Sequence, residues 1–147
     1  MPKNGGCLFC DIQKEEDDDR AGILKRGRNW FVILNMFPYT SGHVMIVAAR
    51  HIERLTEMTG DEVAELGELL VLCEQAVDEA YNPDGMNIGM NRGGSAGAGI
   101  VGHLHFHLCP RWEGDSNFMT AIAETRVVSE ELEETYTRLK PHFNREG

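Results

Sequence analysis

The chain has 147 residues, enough for one domain with a real core, and 41% of them are hydrophobic. With 14 Lys and Arg against 24 Asp and Glu, the formal charge is −10. That leaves no basic footprint for extended nucleic acid, although a small anion can still be held by a few aimed donors. No stretch approaches the roughly 20 apolar residues of a membrane span, and the N-terminus lacks the apolar segment of a secretory signal, so a cytoplasmic protein is expected.

CLFC, Cys7 to Cys10, comes first, followed by KEEDDDR, a charged run that reads as a solvated loop or a fraying helix end. Residues 1–20 are expected to form this cysteine-bearing, acidic segment, and residues 21–147 the core of a single domain. AGILKRG and NWFVILN are rich in β-branched and aromatic residues and predict two strands turned at Gly27, Arg28 and Asn29. NMFPYTSG predicts a loop and HVMIVAA a third strand. From Asp61 to Tyr81, the residues Val63, Leu66, Leu69, Leu70, Cys73, Val77 and Ala80 recur at helical spacing, with Thr59 or Asp61 as the cap. PDGMNIGMN predicts a turn and a strand, GGSAGAGIVG a glycine-rich connection and HLHFHLCPR another strand. Ser129 to Leu139 predicts a closing helix capped by Ser129. The order β-β-β-α-β-β-α predicts an α+β fold, an antiparallel sheet of about five strands with one long and one C-terminal helix packed to one side.

In HLHFHL, strand alternation places His103, His105 and His107 on one face about 6.8 Å apart, and Leu104, Phe106 and Leu108 on the other. The apolar face is the core, so the imidazoles are expected to face solvent. Three histidines with an open position form a known catalytic zinc set. However, His103 and His107 would stand about 13 Å apart on a strand, too far to share one ion without strain. A division of labour is the alternative: one histidine structural, one attacking, one donating hydrogen bonds to an anionic substrate.

Cys7 and Cys10 have the spacing of one half of a tetrahedral zinc site. A reduced, unmetallated turn with Leu8 and Phe9 packed is the competing reading. A redox pair fits less well, since no thioredoxin-like βαβ pattern surrounds CLFC. In a reducing compartment disulfides are not expected, and Cys73 reads as plain core.

HLHFHL resembles the signature of the histidine triad (HIT) family of nucleotide hydrolases and transferases. The resemblance extends to CLFC, PYTSGHVMIVAARH, GMNIGMNRGGSAGAG and PRWEGDSNF, and so to most of the chain. It implies a HIT-like fold, a homodimer, and a nucleotide substrate cleaved at its α-phosphate through a nucleotidyl-histidine on His105, with His107 donating to the phosphate or leaving group. It also implies that a structural zinc is held by Cys7, Cys10, His51 and His103. For the nucleotide pocket it points to Asn35 for the ribose, His43 in support, Asn91, Gly97 and Gly99 near the phosphates, and Trp112 against the base; Arg92 and Arg111 are further candidate donors. The Arg-Trp and Gly-Asp-Ser-Asn-Phe pieces resemble the branch that cleaves diadenosine tetraphosphate by hydrolysis or phosphorolysis. Alternatives are a nucleoside phosphoramidase and a zinc-stabilised nucleotide-binding scaffold with little turnover. The chain departs from the family pattern at Ala98, Gly99 and Ile100, where many members carry Gly-Gln-Ser or Gly-Gln-Thr, so phosphate contacts there must come from backbone or from elsewhere.

Overall fold

The computed structural model describes residues 6–36, 38, 40–98, 100, 102–115 and 130–144. Its strands are β1 (Ile23–Arg26), β2 (Trp30–Leu34), β3 (Val44–Ala48), β4 (Gly85–Gly89) and β5 (His105–Arg111). They form one antiparallel sheet in the order β1-β2-β3-β5-β4. The helices are α1 (Leu8–Ile12), α2 (Asp18–Ala21), α3 (Gly60–Tyr81) and α4 (Leu132–Phe143). Among the described residues no helix is long and apolar enough to cross a membrane.

Every residue of β2 and β3 is buried. Their unbroken apolar runs, WFVIL and VMIVA, follow from a sheet covered on both faces. On one face Trp30, Val32, Leu34, Val44, Ile46, Leu104 and Leu108 pack against Leu66, Leu69, Cys73 and Val77 of α3 and Leu139 and Phe143 of α4. On the other, Ile23, Phe31, Ile33, Met45 and Val47 close around Phe9 of α1. The expectation that helices pack to one side therefore holds for α3 and α4 and fails for α1. That short helix covers the face on which the histidines lie.

Thr59, one of the two predicted caps, begins α3. Its side chain accepts from the Glu62 N–H while Glu62 accepts from the Thr59 N–H, a reciprocal capping box. The closing helix starts at Leu132, later than predicted, and runs to Phe143; Ser129 lies outside the described residues. It continues beyond Leu139 because Phe143, one turn on, is also buried in the core. Pro141 falls in the last turn, where the missing N–H costs only one helical hydrogen bond. In the acidic run, Asp17 caps α2 and Arg26 ties Asp18 at 2.9 Å, so part of it is an anchored helical turn.

Glu62 does more than cap. Its side chain is only 2% exposed and receives both Nε (3.0 Å) and Nη2 (2.7 Å) of Arg50. The Arg50 guanidinium, outweighing the opposing effect of burial, lowers the Glu62 carboxyl to about 2. Because the folded value lies below the unfolded one, this contribution to stability is complete above the ordinary carboxylate range, about pH 4.5, and disappears as pH falls towards 2. Glu62→Gln should lower the melting temperature at pH 7 by a few degrees and flatten the acid limb of stability between those limits. Unfolding curves recorded across that pH range check both outcomes.

Candidate active site and metal centre

Phe9, 1% exposed, is the wedge that seats α1. Its ring meets Phe31 at 6.5 Å, His103 at 5.4 Å and His105 at 5.0 Å between centroids. Burying Phe9 turns Cys7 and Cys10, on either side of it in one helical turn, towards His103 and His51. The His51 ring comes from the segment after β3 and the His103 ring from the segment before β5. The four ligand atoms lie within 4.8 Å of one another.

Four of the six separations lie close to the edges of a tetrahedral donor set. Cys7 Sγ is 3.2 Å and Cys10 Sγ 3.6 Å from His103 Nδ1, Cys10 Sγ is 3.4 Å from His51 Nδ1, and the two Nδ1 atoms are 3.2 Å apart. Zn–N bonds of about 2.0–2.1 Å and Zn–S bonds of about 2.3 Å give tetrahedron edges of roughly 3.3–3.8 Å. Protonation points the same way. His103 Nε2 donates to the Ala48 carbonyl at 2.6 Å, which leaves Nδ1 with its lone pair facing the cluster. Burial, the largest effect on His103, also lowers its pKa, which favours the neutral ring. The Cys₂His₂ group thus fits zinc, and the residues paired in it are the four expected from sequence.

β5 begins at His105, so His103 lies just before the strand rather than within it. The Leu104 N–H bonds the Ile52 carbonyl at 2.6 Å and the Ala48 N–H bonds the Leu104 carbonyl at 3.1 Å, which holds this entry segment extended beside β3. His105 is 4% exposed. The expected row of solvent-facing imidazoles is therefore corrected: α1 covers their face, and the His105 and His107 rings are 5.0 Å apart. His105 Nδ1 lies 2.7 Å from the His103 carbonyl, which can only accept, so Nδ1 carries the proton and Nε2 the lone pair. No buried side-chain nitrogen or oxygen among the described residues lacks a partner.

His107 is half-buried and its Nδ1 lies 2.9 Å from Nε2 of His43, itself 2% exposed. Burial lowers the pKa of His105 and of His107, and the neighbouring His105 lowers His107 further. Asn35 closes this group: its N–H bonds the His43 carbonyl at 3.1 Å and its Nδ2 is 3.4 Å from the imidazole. His43 can sit here because Gly42 adopts φ +81°, and a Cβ at Gly42 would come within 3.0 Å of Tyr81 and 3.2 Å of Pro110.

Asn91, Arg92, Gly93, Ala98, Gly102 and His103 line a small hollow beside the glycine-rich loop. Gly97 has φ +90°, and the Asn91 amide lies 4.0 Å from where its Cβ would be. Gly99 lies outside the described residues. Of the two arginines considered, Arg111 is committed to Asp115 (2.6 Å) and Asn87 (2.8 Å), whereas Arg92 is exposed. Trp112 packs edge-on against Tyr81 at 6.1 Å. The structure thus joins Asn35, His43, His105 and His107 in one group and the four metal-type ligands in another, with His103 shared between them through its ring and its carbonyl. The sequence reading missed the anchoring role of Phe9 and the Ala48 and Ile52 carbonyls. An aromatic residue between two cysteines was the visible signal for the first; backbone acceptors leave none.

The model of the HIT domain matches residues 19–114. The chain belongs to the HIT family. It is 35% identical to the AP-4-A phosphorylase of Mycobacterium tuberculosis over 94% of this chain and 70% of that one. It is 29% identical to the bis(5'-adenosyl)-triphosphatase of Dictyostelium discoideum over 77% and 79% of the two chains. Among solved structures, a Zn-bound histidine triad family protein from Mycobacterium smegmatis superposes with a TM-score of 0.73 at 26% identity, over 94% of this chain and 93% of that one.

In this HIT-family chain Phe9→Ala should lower the unfolding free energy by about 3 kcal/mol, the lower end of the range for a deleted core aromatic. Urea unfolding of the variant checks this; a loss under about 1 kcal/mol would mean that Phe9 does not anchor the N-terminal turn.

Proposed function

We propose that this HIT domain cleaves the α-phosphate linkage of a dinucleoside polyphosphate such as diadenosine tetraphosphate, through a nucleotidyl-histidine intermediate on His105. One observation carries the reading: the Nδ1 proton of His105 is held by the His103 carbonyl, which leaves Nε2 as a neutral nucleophile. The Nε2 lone pair attacks the α-phosphorus, an N–P bond forms and the P–O bond to the leaving polyphosphate breaks. His43 Nε2 and His107 Nδ1 lie 2.9 Å apart; with His43 as the donor, the His107 Nε2–H is left to donate to the departing oxygen. Water or inorganic phosphate then attacks the same phosphorus and returns His105 to its starting form.

Asn35 receives the ribose hydroxyls, while Asn91, Arg92 and the backbone N–H groups around Gly97 and Gly99 meet the phosphates. This assignment accounts for the absence of side-chain donors at Ala98, Gly99 and Ile100. Trp112 stacks on the base or closes the pocket, and a second copy of the chain completes a homodimer. Cys7, Cys10, His51 and His103 hold a structural zinc, which when bound fixes the N-terminal turn to the entry of β5. Thiolate ligands of this kind suit a reducing, cytoplasmic setting.

The name of the mycobacterial relative favours phosphate as the acceptor. Diadenosine tetraphosphate with inorganic phosphate should then yield ADP and ATP. AMP with ATP in the absence of phosphate would instead indicate asymmetric hydrolysis. Turnover of an adenosine phosphoramidate alone would overturn the substrate class, and nucleotide binding with no turnover of any of these would leave a scaffold. His105→Asn should reduce kcat by at least about 10³-fold and abolish the nucleotidyl adduct seen by intact-mass spectrometry. Because burial disfavours the imidazolium form of His105 and His107, kcat/KM should hold as pH falls through the ordinary histidine value of about 6.5 and decline only below it, as a pH–rate profile would reveal.

A further inference from the structure

We propose that the Glu62–Arg50 pair is a positioning device for the metal ligand His51, coupling the first turn of α3 to the metal centre; the inference rests on the zinc reading above. His51 is exposed, and its ring meets His103 edge-on at 5.1 Å between centroids. It occupies the middle of a three-residue turn closed by the Ile52 N–H on the Arg50 carbonyl at 3.0 Å. The orientation of that turn is set by its two neighbours: Ile52 is buried in the core on one side, and on the other the Arg50 side chain is held by hydrogen bonds.

Arg50 is clamped at three points. Its Nε and Nη2 donate to the two carboxylate oxygens of Glu62 at 3.0 and 2.7 Å, and Nη2 also donates to the Glu57 carbonyl at 2.9 Å. Such a planar two-point grip fixes direction as well as distance. Glu62 is itself immobilised, 2% exposed and bonded by the Thr59 N–H at 2.8 Å. A rigid line therefore runs from the start of α3 through Glu62 and Arg50 to the turn that presents His51. The same short segment orients the other histidine ligand, because the Ala48 carbonyl holds the His103 ring and the Ile52 carbonyl holds the Leu104 N–H.

Helix capping alone does not account for this arrangement. A glutamine at position 62 would complete the capping box as well as a glutamate does. What requires the buried charge is Arg50, and what Arg50 steadies is the turn bearing His51.

The test compares zinc affinity, measured by competition with a chromophoric chelator, and the visible spectrum of the cobalt(II)-substituted protein. Three variants are needed besides the parent: Glu62→Gln, the neutral double variant Arg50→Met with Glu62→Gln, and Thr59→Ala. Glu62→Gln should weaken zinc binding about tenfold and the double variant about 10- to 100-fold, the range for lost partners of metal ligands, with weakened tetrahedral cobalt bands. Thr59→Ala removes the cap while leaving the ion pair, so it should lower thermal stability and leave zinc affinity and the cobalt spectrum unchanged. Parental zinc affinity in Glu62→Gln overturns the inference, as does a loss of affinity in Thr59→Ala equal to that in Glu62→Gln. Should the double variant not fold, the two single variants decide the matter. A parent protein that binds no zinc at all removes the metal reading itself, an outcome distinct from parental affinity in the variants.

Discussion

The hydrogen bond between His105 Nδ1 and the His103 carbonyl is the constraint on which the site depends. It fixes a tautomer, because a carbonyl has no proton to give, and it does so without adding charge near the nucleophile. The residue that supplies the carbonyl has a second task. The His103 ring is turned by the Ala48 carbonyl towards Cys7, Cys10 and His51, so one residue joins the metal-type cluster to the reacting histidine. Displacing that ring would shift the carbonyl with it, and with the carbonyl the direction of the His105 lone pair.

The sheet makes this economy possible. β3 lies between β2 and β5 with both faces buried, so the backbone on either side of the histidines is held by ladder bonds and by two cores at once. Side chains at alternate positions of β5 and the residue before it then enter opposite layers: Leu104 and Leu108 pack under α3, while His105 meets Phe9. The N-terminal turn is small, yet it converts an open face into a half-closed one. Desolvation there, rather than a nearby charge, is the largest effect lowering the pKa of His105 and His107.

Much of this was legible in the sequence. The alternation in HLHFHL separated core from site, and helical spacing located α3 with its Thr59 cap. Fully apolar WFVIL and VMIVA located the central strands. What could not be read was the cover over the histidines. A five-residue helix is too short to display a period, so the aromatic ring between two cysteines was visible but its place over the histidines was not. Pairings across long separations were equally silent: His43 with His107 and Arg50 with Glu62 join elements whose proximity only the sheet order and helix placement decide. The closing helix was read to end at Leu139, whereas burial of Phe143 carries its last turn on through Pro141.

The central claim concerns the location of a proton, and nitrogen-15 NMR of the histidine side chains observes it directly. For His105 of the folded protein near neutral pH the account predicts a neutral ring with Nδ1 protonated and Nε2 showing the shift of a lone-pair nitrogen. A ring protonated on Nε2, or an imidazolium at that pH, would contradict it.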